Sequence, residues 1–88
     1  MNSPDIRWAA SKNEELKRTR GVSFEELVVA EFIAAIKHPR RDNQRILLIQ
    51  FKRYIWAVPY VIREDEIFLK TAFPSRKYTK LWRSGEFI

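Results

Sequence analysis

The chain has 88 residues, 45% of them hydrophobic, with 17 Lys and Arg against 11 Asp and Glu, a net charge of +6, no Cys and one His. That length suits a single domain spanning residues 1–88 and excludes a multidomain enzyme with a cofactor cleft. Without cysteine there are no disulfides, thiolate zinc sites or thiol catalysis, and Gly21 and Gly85 alone are too few for a glycine-rich phosphate loop.

In chain order, Ile6-Arg7-Trp8 fits a short strand or an apolar anchor. Ser11 with Glu14 three residues on has the capping-box pattern and starts a helix ending at Gly21, a good residue beyond a helix C-terminus. Ser23 and Glu26 repeat that pattern, and Leu27, Val28, Phe32, Ile33 and Ile36 recur near helical spacing, so a longer helix is expected over Phe24–Lys37. Pro39 ends it, and His38 suits its negative C-terminal end.

A polar loop, Arg40 to Gln44, leads to Ile46–Phe51, a strand apolar on both faces. Lys52-Arg53 is a tight turn into Tyr54–Ile62, where Pro59 demands an edge or a bulge because it cannot donate to a ladder. Glu64-Asp65-Glu66 turns the chain into a third strand, Ile67–Phe73, which Pro74 terminates; Ser75 then caps a short helix to about Arg83. The expected fold class is α+β: two N-terminal helices packed on one face of a three-stranded antiparallel meander, with or without a short N-terminal strand, and a short C-terminal helix.

The positive charge is uneven. Residues 37–53 carry +5 and residues 70–88 carry +4, so the two segments are expected to meet on one side of the sheet and face a polyanion or an acidic protein. No apolar run approaches the roughly 18 residues of a membrane span, and the start of the chain lacks a basic-then-apolar leader, which points to the cytoplasm. The consecutive acids Glu64, Asp65 and Glu66 diverge in a turn rather than converging, so no metal and no cofactor is expected.

Three stretches together resemble the BrnT-type toxins of bacterial type II toxin–antitoxin systems, within the RelE-like superfamily. They are Trp8 with Lys12-Asn13 and Arg20-Gly21-Val22-Ser23-Phe24; His38-Pro39; and the strand ending in Phe73-Pro74-Ser75-Arg76-Lys77-Tyr78. The chain departs from that pattern at Arg20, where many relatives have His, and at Ala72, near which many place an arginine. Lys70, Arg76 and Lys77 then supply the charge.

The resemblance implies a metal-independent endoribonuclease that cleaves cellular RNA and arrests growth until an antitoxin binds it. A ribbon-helix-helix antitoxin is implied, in a complex holding two copies of this chain. Metal-free cleavage by the 2′-OH needs proton carriers and cations around the phosphorane. The expected catalytic residues are Lys70, Arg76, Lys77, Tyr78 and His38, the one residue here of a type whose unperturbed pKa lies near neutrality. Arg40, Arg41, Arg45, Lys52, Arg53 and Lys80 are expected to bind the RNA backbone. Tyr54, Trp56, Tyr60 and Tyr78 fit either base stacking or the core, while Trp8 and Trp82 read as packing residues. Two other readings share the same basic face: a non-catalytic RNA- or DNA-binding module, and a domain that meets only an acidic protein.

Overall fold

The computed structural model describes residues 5–86. In chain order the elements are β1 (Asp5–Trp8), α1 (Ala10–Arg20), α2 (Phe24–Val28), β2 (Glu31–Lys37), β3 (Arg45–Phe51), β4 (Tyr54–Arg63), β5 (Glu66–Leu69), β6 (Phe73–Pro74) and α3 (Arg76–Arg83). The strands form one mixed sheet in the order β1-β5-β4-β3-β2, with β6 also paired to β4. Only β1 and β5 run parallel; the other described pairs are antiparallel. The α+β class expected from sequence is present, but the meander has four strands, β2 to β5, rather than three.

The additional strand comes from the expected second helix. Its start is as anticipated: Ser23 Oγ accepts from the Glu26 N–H at 3.1 Å, and the Glu26 carboxylate accepts from the Ser23 N–H at 2.9 Å. The helix stops at Val28, and residues 31–37 pair along β3 from Glu31↔Gln50 to Lys37↔Arg45. A register shift between Phe32 and Ala34 breaks the two-residue alternation, so Ile33, Ala34 and Ile36 all pack against one core cluster. That bulge makes a strand's apolar positions imitate helical spacing. His38 consequently follows a strand, not a helix.

The start of α1 also differs from the sequence reading. Ala9 is its cap and makes no side-chain bond, so Ser11 lies within the first turn. Gly21 ends it in the left-handed conformation, φ 69°, as expected. Asn13 then joins α1 to α2. It is buried, its Oδ1 accepts from the Phe24 N–H at 2.8 Å, and its amide donates to Glu25 Oε1 at 2.7 Å. One of the orphan donors of α2 is thereby satisfied. Asn13 also holds the Glu25 carboxyl below the usual carboxylate range.

Strict alternation along β3 and β4 builds two cores. Ile49, Trp56, Val58 and Tyr60 pack with Leu16, Phe24 and Leu27 of α1 and α2. Ile46, Leu48, Ile55 and Ala57 pack with Tyr78 and Trp82 of α3. Helices therefore cover both faces, which corrects the expectation of one covered face. Trp8 packs against Phe24 with ring centroids 5.4 Å apart, and both Trp8 and Trp82 are packing residues as expected.

Pro59 lies on an interior strand, not an edge. Beside it the ladder is broken: β5 ends at Leu69, Lys70 N–H reaches the Pro59 carbonyl at 2.8 Å, and β6 rejoins β4 at Ala57. The expected third strand is thus two short ones separated by residues 70–72, and the gap removes the need for a Pro59 donor. α3 docks where β6 ends. Ser75 Oγ accepts from Tyr78 N–H at 3.1 Å, Ser75 N–H donates to the Ile55 carbonyl at 2.8 Å, and Ile55 N–H donates to Thr79 Oγ1 at 2.8 Å. Both outward backbone groups of Ile55 are satisfied by the cap and first turn of α3. Among the described residues no helix is long and apolar enough to cross a membrane.

Candidate nucleic-acid interface

The cations gather at the two ends of β4. At its N-terminal end, the Lys52-Arg53 turn holds both residues in the left-handed region, φ 52° and 70°. Two-residue hairpin turns of this kind favour Asn-Gly, since a side chain in that conformation costs about 1–2 kcal/mol per residue. Arg83 braces the turn: its Nη2 donates to the Arg53 carbonyl at 2.8 Å, and its guanidinium lies 5.4 Å from the Tyr54 ring centre.

Tyr54, 45% exposed, separates two cavities. One, of about 570 Å³, is lined by Arg76, Lys80 and Arg83 with Thr79 and Ser84. The other, of about 430 Å³, is lined by Arg20, Arg76, Thr19, Trp56 and Pro74. Arg76 borders both, and among the described residues neither wall contains a carboxylate or an imidazole. Arg20 and Arg76 come from the end of α1 and the start of α3, brought together by the docking of α3 on Ile55. The Trp56 indole N–H is buried without an acceptor among the described residues.

At the C-terminal end of β4, a third cavity of about 430 Å³ is lined by Lys37, His38, Arg41, Arg45, Tyr60 and Ile62, with Asp42 to Gln44 completing the rim. His38 organises the loop, its Nδ1 accepting from the N–H groups of Arg40 and Arg41 at 3.1 and 3.2 Å. A neutral ring that accepts at Nδ1 carries its proton at Nε2. Tyr54 and Tyr60 are six residues apart, about 20 Å at the rise of a strand. The expected catalytic set therefore does not form one cluster: His38 stands at one end and Arg76 at the other. Lys80 joins Arg76, the Lys52-Arg53 turn is tied to the same helix through Arg83, and Arg41 and Arg45 join His38. The meeting of the two basic segments holds for residues 52–53 with α3, not for residues 37–45.

The other expected residues occupy neither cluster. Lys70 Nζ is 5.7 Å from the Phe68 ring centre, and Lys77 Nζ is 5.4 Å from that of Tyr78. Tyr78 is half-buried against the second core cluster. Arg40 is exposed in the loop. Ala72 is buried in the first core cluster. Asp5, Glu64, Asp65 and Glu66 line an acidic hollow that Arg63 also enters, and among the described residues no three His, Asp or Glu converge as metal ligands.

Among the described residues, the ion pairs use Arg7, Lys12 and Lys17, and none involves a cation at either end of β4. Unneutralised cations around exposed aromatic surface suit single-stranded nucleic acid, which offers phosphates and flat bases together. Arg20 and Arg83 were absent from the sequence-based site. The spacing of Arg76, Lys80 and Arg83, close to i, i+4, i+7 on a helix, carried the signal for Arg83.

The fold is a mixed α+β sheet covered by helices on both faces. A search of solved structures finds the Brucella abortus ribonuclease toxin BrnT, with a TM-score of 0.56 and 16% identity over 82% of this chain and 96% of that one. The chain thus has a BrnT-like fold. No protein-family model and no curated protein matches the sequence.

Proposed function

We propose that this chain is the toxin of a type II toxin–antitoxin pair, a metal-independent endoribonuclease acting in the cytoplasm, with its cleavage site beside Tyr54. The BrnT-like fold supports the toxin role. The observation that carries the site is the convergence of Arg20 and Arg76 on one cavity that holds no acidic residue among the described ones.

In this reading the scissile phosphate sits between Arg20 and Arg76. Each guanidinium is able to grip two phosphate oxygens, and together they stabilise the charge that grows as the 2′-oxygen bonds to phosphorus and the P–O5′ bond breaks, leaving a 2′,3′-cyclic phosphate and a 5′-hydroxyl, with water taking the 2′-OH proton and returning one to O5′. Lys80, Arg83, Lys52 and Arg53 hold flanking phosphates, and Tyr54 stacks on a base. Lys70 and Lys77 add positive potential without touching the phosphate. With neither imidazole nor carboxylate among the described residues of the cavity, most of the rate enhancement comes from preorganised cations; removing one such group costs on the order of 10²–10³-fold. A cognate antitoxin, in a complex with two copies of this chain, neutralises it by covering the same cations.

Induced expression is expected to arrest growth, and the purified protein to cut RNA in EDTA. Normal growth with intact RNA would defeat the toxin reading. The second reading, a non-catalytic RNA- or DNA-binding module, is favoured by the lack of an acid–base pair at Tyr54. It predicts RNA binding that falls steeply with salt, without cleavage.

A further inference from the structure

We infer that the cavity between the β2–β3 loop and β4 is a second, separate nucleotide-binding site, which takes a remote nucleotide of the same RNA strand and so makes binding depend on RNA length. The inference rests on RNA being the ligand of the Tyr54 end, and adds where else that RNA is held.

Three features carry it. First, the site is built rather than incidental. Besides the His38 bonds, His38 N–H donates to the Gln44 carbonyl and Gln44 N–H to the Arg41 carbonyl, both at 3.2 Å. The loop that carries Arg41 is closed on itself, so little order has to be gained on binding. Second, the lining matches a nucleotide. Lys37, Arg41 and Arg45 outnumber Asp42, and beside them Ile62 leaves an apolar wall 61% exposed next to Tyr60. Cations take the phosphate while the apolar wall takes the face of the base. None of these three cations has an ion-pair partner among the described residues. An acidic peptide would use the cations but not that wall, so RNA is the better fit.

Third, the distance has a consequence. The two sites lie about 20 Å apart along β4, so a strand touching both must be long, on the order of four or more nucleotides, within the site sizes typical of single-strand binders. His38 acts here through the loop, as a positioning residue.

The test compares a fluorescent 12-nucleotide uridine strand with a trinucleotide, in EDTA, using anisotropy on the full chain. The 12-mer carries a non-cleavable 2′-O-methyl backbone, so binding is read whether or not the protein is an enzyme. The 12-mer is expected to bind at least about 10-fold more tightly than the trinucleotide. Arg41→Gln with Arg45→Gln, both exposed positions, should erase most of that advantage, and the trinucleotide should bind as before. Arg76→Ala should leave a clear length advantage. His38→Ala should reduce the advantage and His38→Asn, whose side-chain oxygen can still accept from the loop, should restore part of it. A length advantage that survives Arg41→Gln with Arg45→Gln overturns the inference, even if the protein cleaves RNA. If those substitutions weaken only the binding of poly-glutamate, the cavity holds an acidic protein and the inference also falls. Loss of cleavage alone, with the length advantage intact in the parent and removed in the variant, defeats the ribonuclease reading and leaves this one standing.

Discussion

At the Tyr54 end of β4 the cations arrive from α1, the β3–β4 turn and α3; at the Tyr60 end they come from residues 37–45, one loop and the strand residues beside it. Both ends carry unpaired positive charge, but only the first is assembled by tertiary docking. A local cluster forms wherever its segment folds. A cluster from three elements exists only if α3 is seated on Ile55 and α1 on α2. The Tyr54 end is consequently the more precise arrangement and the more fragile one.

The largest expected effect separates the ends by chemistry. Arg76→Ala should lower RNA cleavage on the order of 10²–10³-fold, the loss typical of removing one preorganised charge donor. Arg20→Ala should act similarly, whereas His38→Ala should leave the turnover of a short substrate unchanged. Gel-resolved cleavage in EDTA measures all three. Equal losses for Arg76→Ala and His38→Ala would erase the distinction between the ends.

Next comes the docking of α3. Thr79→Val leaves the buried Ile55 N–H without an acceptor and should cost about 1–3 kcal/mol in urea unfolding. Activity should fall with it, because Arg76, Lys80 and Arg83 all ride on α3. Asn13→Ala should cost a similar amount by orphaning the Phe24 N–H.

Smaller, and opposite in sign for stability, is the hairpin turn. Replacing Lys52-Arg53 with Asn-Gly should stabilise the fold by about 1–2 kcal/mol, since both positions have positive φ. RNA affinity should drop and its salt dependence become shallower as phosphate contacts are lost. A stabilised variant with unchanged affinity would remove the turn from the interface.

The smallest effect is acid sensitivity. Asn13 holds the Glu25 pKa below its ordinary value, so the unfolded chain takes up that proton first as pH falls. Glu25 therefore contributes stability that is present above the ordinary carboxylate pKa and is lost as pH drops through the lowered one. Glu25 is exposed, so Glu25→Gln should flatten the urea midpoint only slightly between about pH 3 and 6. An unchanged acid slope would show that the Asn13 contact does not discriminate between the two charge states.

Local signals in the chain were legible where a residue acts on its near neighbours. Ser23 with Glu26, Ser75 before α3, Gly21 after α1 and the turn at Lys52-Arg53 all appear where the residue types place them, because caps and turns are satisfied within a few residues. Ser11 was misleading, since the chain enters α1 two residues earlier, from Ala9. Residues 31–37 were misread because Ile33, Ala34 and Ile36 owe their common face to a bulge against β3, a feature with no local signature.

The candidate site divides the same way. His38, Arg41 and Arg45 were visible as one stretch of charge, and they share one cavity. Arg76 and Lys80 were visible as a basic tail. Their neighbours were not, because Arg20 and Arg76 are 56 positions apart in the sequence.

By itself the amino-acid sequence determined the basic charge, the absence of cysteine chemistry, the α+β class and most element starts, all of which depend on composition or short-range geometry. Only the tertiary structure decided that helices cover both faces, that residues 31–37 extend the sheet, and that the positive charge is divided between two ends of β4. The physical reason is that strand pairing and helix docking satisfy backbone groups, such as both outward groups of Ile55, with partners that lie far away along the chain.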